Sequence, residues 1–158
     1  MSEDSKSKVS TRKAKPSVAF SAEEQAAMKE YAEELKLAAK RGKKDTTAED
    51  EADVLAKIEA FAEPDRSMAM QLHELVKKAA PELKAKTWYG MPAYSLNGKV
   101  LCFFQSAAKF KTRYSTLGFS DLSQLDDGDF WPTSFGLAKL TPAVKAQITA
   151  LLVSAVGR

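Results

Sequence analysis

Four stretches of the chain carry apolar residues at helical spacing, and residues with a capping role flank them. The first stretch opens at Ser21 with Glu24 three residues later, which is the spacing of a capping box, and Gly42 stands where a left-handed C-cap is expected. Its apolar positions form only one narrow face, so we expect a helix that docks lightly on the rest of the protein. These positions are Met28, Tyr31, Leu35 and Ala38.

Three further helices are predicted, two directly after the first and one at the C-terminus. Thr47, followed by Asp50, is expected to cap the second helix, which Pro64 ends. Pro64 also suits the first turn of a third helix, which Pro81 stops, and Thr141 caps the last one. Their apolar stripes indicate that all three helices face the core: Val54, Ile58 and Phe61; Met68, Leu72, Leu75, Val76 and Ala79; Val144, Ile148, Leu151 and Leu152.

The region between the third helix and the last is rich in aromatic and β-branched residues, which favour strands. Within it, Asn97-Gly98 separates apolar runs at residues 93–96 and 99–104. Asn-Gly readily adopts two adjacent positive φ angles, so this pattern predicts a hairpin closed by a type I′ turn.

More strands are predicted after the hairpin. Residues 109–114 alternate strictly, and a strand there would place its three cations on one face. A short helical turn is expected at residues 120–125, a loop at Asp126-Asp127-Gly128, and a last strand at residues 133–140. This order predicts an α+β fold, in which an antiparallel sheet of about four to five strands packs against flanking helices behind an N-terminal helical extension.

Composition divides the chain into three parts. Residues 1–19 are rich in serine and lysine and have almost nothing to bury, so we expect a disordered basic tail. Residues 20–46 comprise the first helix and a flexible basic linker, and residues 47–158 form the α+β domain. A length of 158 residues suits one such domain.

The charge and the single cysteine narrow the class of protein. A formal net charge of +3 permits contact with an anion, but nucleic-acid binders usually concentrate far more positive charge, so nucleic acid is not the expected partner. Cys102 cannot form an intramolecular disulfide, which suits a reducing compartment. No apolar run reaches the roughly 18 residues that span a bilayer, and no signal peptide is recognisable at the N-terminus. We expect a cytoplasmic protein without membrane contact.

One run of residues resembles a known family. Ala79-Ala80-Pro81 is followed by Lys86-Thr87-Trp88-Tyr89-Gly90-Met91-Pro92-Ala93-Tyr94 and then by the Asn-Gly hairpin. This pattern is similar to that of the DUF1801 or YdhG-like family over about residues 50–157. The resemblance implies a small α+β domain with an antiparallel sheet. Some members are labelled frataxin-type iron chaperones, so it also implies ferrous iron as a cargo delivered to iron–sulfur or haem assembly.

A metal site is a hypothesis for the acidic loop after the predicted strands. Hard cations prefer several oxygen ligands, and four carboxylates are close together in sequence there: Asp121, Asp126, Asp127 and Asp129. The same composition is typical of an exposed turn, so both interpretations stand. His73 has no second histidine to pair with and is expected on a helix surface or partly buried.

Nothing in the sequence points to an enzyme. Cys102 lies in an apolar strand, where burial raises a thiol pKa and makes the thiol inert. The serines lack the G-x-S-x-G context of a nucleophile elbow, and no glycine-rich phosphate loop is present. We therefore expect a non-enzymatic binding or accessory module.

The predicted ligand-binding surface combines cations with aromatic residues. Cations beside aromatic rings are able to hold a carboxylate, a phosphate or a stacked base, which predicts a small anionic ligand or a protein partner. The alternative is that the aromatic residues are core and the cations are the solvent face of the sheet. The candidate residues are Trp88, Tyr89, Met91, Tyr94, Lys109, Lys111, Arg113 and Trp131.

Overall fold

The computed structural model describes residues 19–158, which form five helices and one five-stranded antiparallel sheet. The strands follow one another in the order β1-β2-β3-β4-β5, so the sheet is a simple meander. This architecture confirms the predicted α+β fold. The helices are α1 (Ala22–Arg41), α2 (Thr47–Glu59), α3 (Asp65–Ala79), α4 (Ala107–Phe110) and α5 (Pro142–Ala155); the strands are β1 (Lys84–Trp88), β2 (Met91–Leu96), β3 (Lys99–Gln105), β4 (Ser115–Phe119) and β5 (Ser134–Leu137).

The N-caps predicted for the first and last helices are confirmed. Ser21 Oγ accepts a hydrogen bond from the backbone N–H of Glu24 over 3.1 Å. Gly42 follows α1 with a φ of 72°, but its ψ of −153° lies outside the left-handed helical conformation expected of this C-cap. Thr141 Oγ1 likewise accepts from the N–H of Val144 over 3.2 Å. These side chains satisfy donors that a helix N-terminus leaves without a partner. The tail expected at residues 1–19 lies, apart from its last residue, outside the described residues.

The second helix begins differently from the prediction. Thr47 is already helical, and Thr46 occupies the N-cap position. Asp45 Oδ1 accepts from both the N–H and the hydroxyl of Thr47, over 3.0 and 2.6 Å. The expected cap was wrong because an ionised carboxylate two residues earlier is the stronger acceptor.

Helices α2, α3 and α5 cover one face of the sheet. Tyr94, Cys102 and Phe119 are directly opposite one another on β2, β3 and β4, and all three are buried on that face. Residues from each of the three helices complete the core, as their apolar stripes predict: Val54, Ile58, Leu72, Val76, Ile148 and Leu152. No helix within residues 19–158 is both long and apolar enough to cross a membrane.

Two hairpins in the sheet close through two-residue turns. The predicted one, Asn97-Gly98, has φ angles of 50° and 82° and connects Leu96 to Lys99. The other is Tyr89-Gly90, with φ angles of 52° and 73°, where β1 turns into β2. A tyrosine at positive φ, as in this second turn, is uncommon. Both turns have the geometry that suits the right-handed twist of paired strands.

The strand predicted at residues 109–114 is wrong. Lys109 lies within the short helix α4, which ends at Phe110. Lys111 follows this helix in the left-handed region with a φ of 53°, and β4 begins only at Ser115. Ser106 caps α4 by accepting from the N–H of Lys109 over 3.2 Å. Because this cap and the left-handed residue fix a helical turn, the alternating pattern does not form a strand, and the three cations do not share a strand face.

Two smaller predictions for the C-terminal half also need correction. The expected helical turn at residues 120–125 is a plain turn closed by the N–H of Ser123 and the carbonyl of Ser120, over 3.1 Å. The last strand covers only Ser134–Leu137 instead of residues 133–140.

Candidate functional site

Two of the predicted ligand-binding residues belong to the interior. Met91 is buried, and Tyr94 is 1% exposed and faces the core. The hydroxyl group of Tyr94 is 2.9 Å from Nδ1 of His73, whose Nε2 is 3.0 Å from Glu51 Oε1. His73 is 3% exposed, so it is more deeply buried than the sequence predicted. The contacts among Tyr94, His73 and Glu51 satisfy polar groups inside the core.

Three other candidates lie on the surface, outside the core. Lys111 is 77% exposed at its side chain and pairs with Glu23 over 2.9 Å. The guanidinium group of Arg113 lies 5.0 Å from the ring centroid of Tyr114. Trp131 is half-buried in the loop before β5. Lys111 and Arg113 line one surface groove, but Trp131 does not line it, so the three residues do not form one surface.

The remaining candidates meet at the turn between β1 and β2. The ring of Trp88 lies edge-on to that of Tyr89, with centroids 5.1 Å apart. Lys109 reaches the same turn from α4, and its Nζ donates to the carbonyl oxygen of Gly90 over 3.1 Å. Part of the predicted cationic and aromatic grouping therefore exists, at the end of the sheet and not on its face.

The backbone of this turn binds a carboxylate. The N–H groups of Tyr89 and Gly90 both donate to Glu34 of α1, over 2.9 and 2.8 Å. Successive N–H groups in such a conformation form a concave anion-binding arrangement, and hydrogen bonds to an ionised acceptor are stronger than neutral ones. The Tyr89-Gly90 turn is thus an anion receptor built from main-chain atoms.

Two ammonium groups extend this receptor. Lys57 of α2 and Lys109 each donate to the carboxylate of Glu30, over 2.9 and 2.7 Å. All three side chains are between about a quarter and a third exposed, so water screens these pairs less than it screens a fully exposed pair. We refer to Lys57, Lys109 and the backbone N–H groups of Tyr89 and Gly90 together as the turn site.

The turn site depends on glycine at position 90. A Cβ at this position would overlap Glu30 Oε2 and Lys109 Nζ, and the φ of 73° is one that residues with a side chain rarely adopt. Glycine therefore serves two purposes here: it permits the turn and it leaves room for the ion pair beside it.

A buried aspartate positions the segment that carries Lys109. Asp65, at the first position of α3, accepts from the hydroxyl of Ser106 over 2.6 Å and from the N–H of Ala108 over 3.0 Å. It also accepts from the hydroxyl of Ser115 over 3.3 Å. These bonds tie both ends of the connection between β3 and β4 to α3, so they fix α4 next to the turn site.

Helix α1 provides the residues that occupy the turn site. Besides Glu30 and Glu34, Tyr31 stacks on the ring of Tyr89, with centroids 4.0 Å apart and planes 8° from parallel. The apolar stripe expected to dock instead faces solvent in part, since Met28 is 38% and Leu35 is 53% exposed. Of the expected apolar face, Tyr31 docks and Met28 and Leu35 do not, because charged and aromatic side chains make the contacts of this helix.

Burial and hydrogen bonding act in opposite directions on the two carboxylates. Burial alone would raise the pKa of Glu30, but the hydrogen bonds from Lys109 and Lys57 outweigh it and hold that pKa below its ordinary value. For Glu34, burial has the larger effect and raises the pKa in spite of the hydrogen bonds from the backbone of Gly90 and Tyr89. The two acids therefore titrate in different pH ranges.

Docking of α1 is consequently expected to be strongest in mildly acidic solution. The raised pKa of Glu34 means that its carboxyl group binds a proton more tightly when α1 is docked than when it is undocked. Docking therefore strengthens as the pH falls from 7 through that pKa. The lowered pKa of Glu30 means that its contribution is complete above its ordinary value of 4.5 and is lost as the pH falls through the lowered one. The amide signals of Tyr89 and Gly90 in two-dimensional NMR spectra would report the docked fraction.

The variant Glu30→Gln separates the two acids in this titration. It should abolish the loss of docking at low pH and keep the gain that Glu34 causes. A docked fraction that falls steadily in the wild-type chain from pH 7 towards the ordinary glutamate pKa of 4.5 would contradict the raised pKa of Glu34.

The single cysteine has the inert environment that the sequence predicts. Cys102 is fully buried, and burial raises the pKa of its thiol to about 12. Its thiol is therefore protonated at neutral pH.

The four predicted metal-binding aspartates are exposed and do not form a cluster. Asp121, Asp126, Asp127 and Asp129 lie in the turn and loop between β4 and β5. Within the part of the chain that the structure describes, no three His, Cys, Asp or Glu side chains are grouped so as to hold a metal ion. The placement of the aspartates agrees with the alternative interpretation, in which they belong to an exposed loop.

No family model matches the chain, and no curated protein or solved structure compared with it is significantly similar. The resemblance to the DUF1801 or YdhG-like family therefore stays a prediction. Its most specific residues, Tyr89 to Tyr94, form the turn and β2, which includes the backbone part of the turn site.

Of the residues at the turn site, the sequence pointed to Tyr89 and Lys109 but missed Lys57 and the carboxylates of α1. A signal for the carboxylates was present, because Glu30, Tyr31 and Glu34 stand at positions that share one helix face. Lys57 gave no such signal, since it is one of many charged residues on a predicted helix surface.

Proposed function

We propose that this protein is a non-enzymatic binding or accessory module that holds an anionic partner at the turn site. The observation that carries the proposal is that two carboxylates are bound there, one by consecutive backbone N–H groups and the other by two ammonium groups. Their present source is the chain's own helix α1. The frataxin-like delivery of ferrous iron stays a prediction from the family resemblance alone.

The two ammonium groups of the turn site favour carboxylates over neutral ligands. Backbone N–H groups donate without losing side-chain entropy, and they are already oriented by the turn before a ligand arrives. Lys57 and Lys109 add two positive charges that a neutral ligand does not compensate. A carboxylate that replaces that of Glu30 or Glu34 therefore binds to donors that are already in position.

The aromatic rings beside the site extend the range of partners. Tyr89 presents a ring face that Tyr31 covers, and the ring of Trp88 continues to Phe103 with centroids 5.4 Å apart. An aromatic or apolar group adjacent to the carboxylate of a partner finds a stacking surface there. This combination suits a small anionic ligand or an acidic protein segment that also carries a ring.

Truncation of one carboxylate of α1 tests the proposal directly. Glu34→Ala removes the group that the Tyr89 and Gly90 amides bind and leaves space of the size of its carboxylate. Added propionate has the chemistry of the deleted side chain, so it should shift the NMR signals of both amides in a saturable manner at millimolar concentrations, as expected of so small a ligand. The wild-type chain should not respond, because Glu34 occupies the same donors.

Two controls define the outcome. Propionamide has the same shape without the charge and should leave the two signals unchanged, and adding Lys57→Gln and Lys109→Gln to Glu34→Ala should weaken the response to propionate. Equal responses to propionate and propionamide, or none to either, would contradict carboxylate binding at the turn site.

A further inference from the structure

We infer that α1 is a built-in competitor, and that the partner of the turn site is an acidic helix of another protein with the same pattern. That pattern is a glutamate, an aromatic residue directly after it, and a second glutamate four residues after the first. This inference rests on the proposed function and specifies the partner that the turn site takes.

The contact surface of α1 is polar along its length. Ala27 is the only residue of this helix that is buried, and Met28, Leu35 and Leu37 are exposed. A helix held by an apolar stripe buries several large side chains, which makes it part of the core. The residues of α1 that are at least partly buried instead form a mostly polar stripe at helical spacing: Glu23, Ala27, Glu30, Tyr31, Glu34 and Arg41.

Such a contact is reversible. Partly exposed ion pairs contribute little each and weaken with salt, so no large apolar area has to be exposed to water when α1 leaves. The C-terminal end of α1 is held separately, because Arg41 donates to Asp50 and Asp53 of α2 over 2.8 and 2.7 Å. The part of the helix over the turn site is therefore able to detach while its end stays next to the linker.

The three contacts that α1 makes at the turn site define what a replacement helix needs. The carboxylate at the first position reaches Lys57 and Lys109. The ring at the next position stacks on Tyr89, and the carboxylate at the fifth reaches the backbone of the turn. Residues at positions i, i+1 and i+4 of a helix share a face, so any helix with this pattern presents the same three groups.

The short link between α1 and α2 lets α1 compete effectively with a partner helix for the turn site. Residues 42–46 connect it to α2, and so short a link gives the helix a local concentration in the millimolar range. A partner helix with equal contacts does not compete at micromolar concentration, so the wild-type chain binds only a better ligand, or binds after α1 is released.

The test uses a fluorescent peptide of residues 20–42 and the full chain. The triple variant Glu30→Ala/Tyr31→Ala/Glu34→Ala removes the three side chains by which α1 occupies the turn site. We expect this variant to bind the peptide at least about tenfold more tightly than the wild-type chain does, measured by fluorescence anisotropy. The affinity should fall as salt is raised.

Two altered peptides provide matched controls. Replacing Glu30 and Glu34 with glutamine in the peptide should weaken binding at least about tenfold, because both charge-assisted contacts are lost. Replacing Met28 and Leu35 with alanine keeps the three contacting groups and should weaken binding much less than the loss of the two charges, since these residues are 38% and 53% exposed in α1.

The result also separates this inference from the proposed function. The inference would be overturned if the wild-type chain and the triple variant bound the peptide equally well. It would also be overturned if replacing the two glutamates of the peptide left its affinity unchanged. If propionate still binds Glu34→Ala in that case, the turn site binds carboxylates but does not recognise this helix pattern.

Discussion

Replacing Asp65 with alanine is expected to lower the free energy of unfolding by about 3 kcal/mol, because three donors lose their acceptor and two of them, on Ser106 and Ser115, are buried. Two of these donors are the hydroxyl groups of Ser106 and Ser115, and the third is the backbone N–H of Ala108. Asp65 is only 3% exposed, so water does not readily take its place. The carboxylate also lies at the N-terminus of α3, where the helix dipole favours negative charge.

Thermal unfolding measures this loss. For a chain of this size about 3 kcal/mol corresponds to a midpoint lower by roughly 6–12 °C. Asp121→Ala is the matched control, because it deletes a carboxylate from an exposed turn and should change stability by no more than about 0.5 kcal/mol. A midpoint for Asp65→Ala as high as that of the control would show that the buried donors find other partners.

The same substitution should also disturb the turn site, although Asp65 does not contact it. Without Asp65, the N–H of Ala108 and the hydroxyl of Ser106 lose their acceptor, and α4 loses the contacts that orient it. Lys109 then no longer has a fixed position relative to Gly90 and Glu30. In folded Asp65→Ala protein below its unfolding midpoint, the amide signals of Tyr89 and Gly90 should shift away from their wild-type positions.

The parts of the fold that the sequence predicted correctly are those that local chemistry determines. Ser21 and Thr141 cap helices with their own side chains, and Asn97-Gly98 closes a hairpin through its own φ angles. Each of these signals lies within four residues of the structure that it sets, so no knowledge of the tertiary fold is required.

The strand predicted at residues 109–114 failed because a distant residue decides that segment. Asp65 is 41 positions before Ser106, yet its carboxylate binds the cap of α4. An alternating pattern does not reveal such a contact, and a six-residue alternation also occurs by chance in a helical turn. With the strand absent, Lys111 and Arg113 are separated from Lys109.

The docking of α1 escaped prediction for a related reason. Apolar spacing is the usual guide to the buried face of a helix, and it selected Met28 and Leu35, which are exposed. The face that docks is polar, and its partners at Lys57, the turn and Lys109 come from three separate regions of the chain. A pattern of charges predicts a polar docking face only when the positions of the complementary charges in the fold are already known.

Gly90→Ala is expected to release α1 from the turn site. The new methyl group would overlap Glu30 Oε2 and Lys109 Nζ, so the ends of both side chains must shift and their ion pair is disturbed. The substitution also places alanine at a φ of 73°, which disfavours the turn that presents the two N–H groups to Glu34. All the polar contacts of α1 at the turn site are weakened together.

Hydrogen–deuterium exchange measures the release, because the amides of an undocked helix exchange faster. We expect residues 22–41 to lose protection by at least about tenfold, which corresponds to a shift of the docking equilibrium by about 1.4 kcal/mol.

Gly98→Ala is the matched control for the same strain in a hairpin that does not contact α1. Gly98 has a φ of 82°, close to that of Gly90, but nothing lies within 4 Å of a Cβ built on it. Both variants therefore bear a similar conformational cost of about 1–2 kcal/mol in their hairpins, and only Gly90→Ala meets the ion pair. If the two variants leave α1 equally protected, the helix does not depend on close approach at the turn, and the turn site is not what holds it.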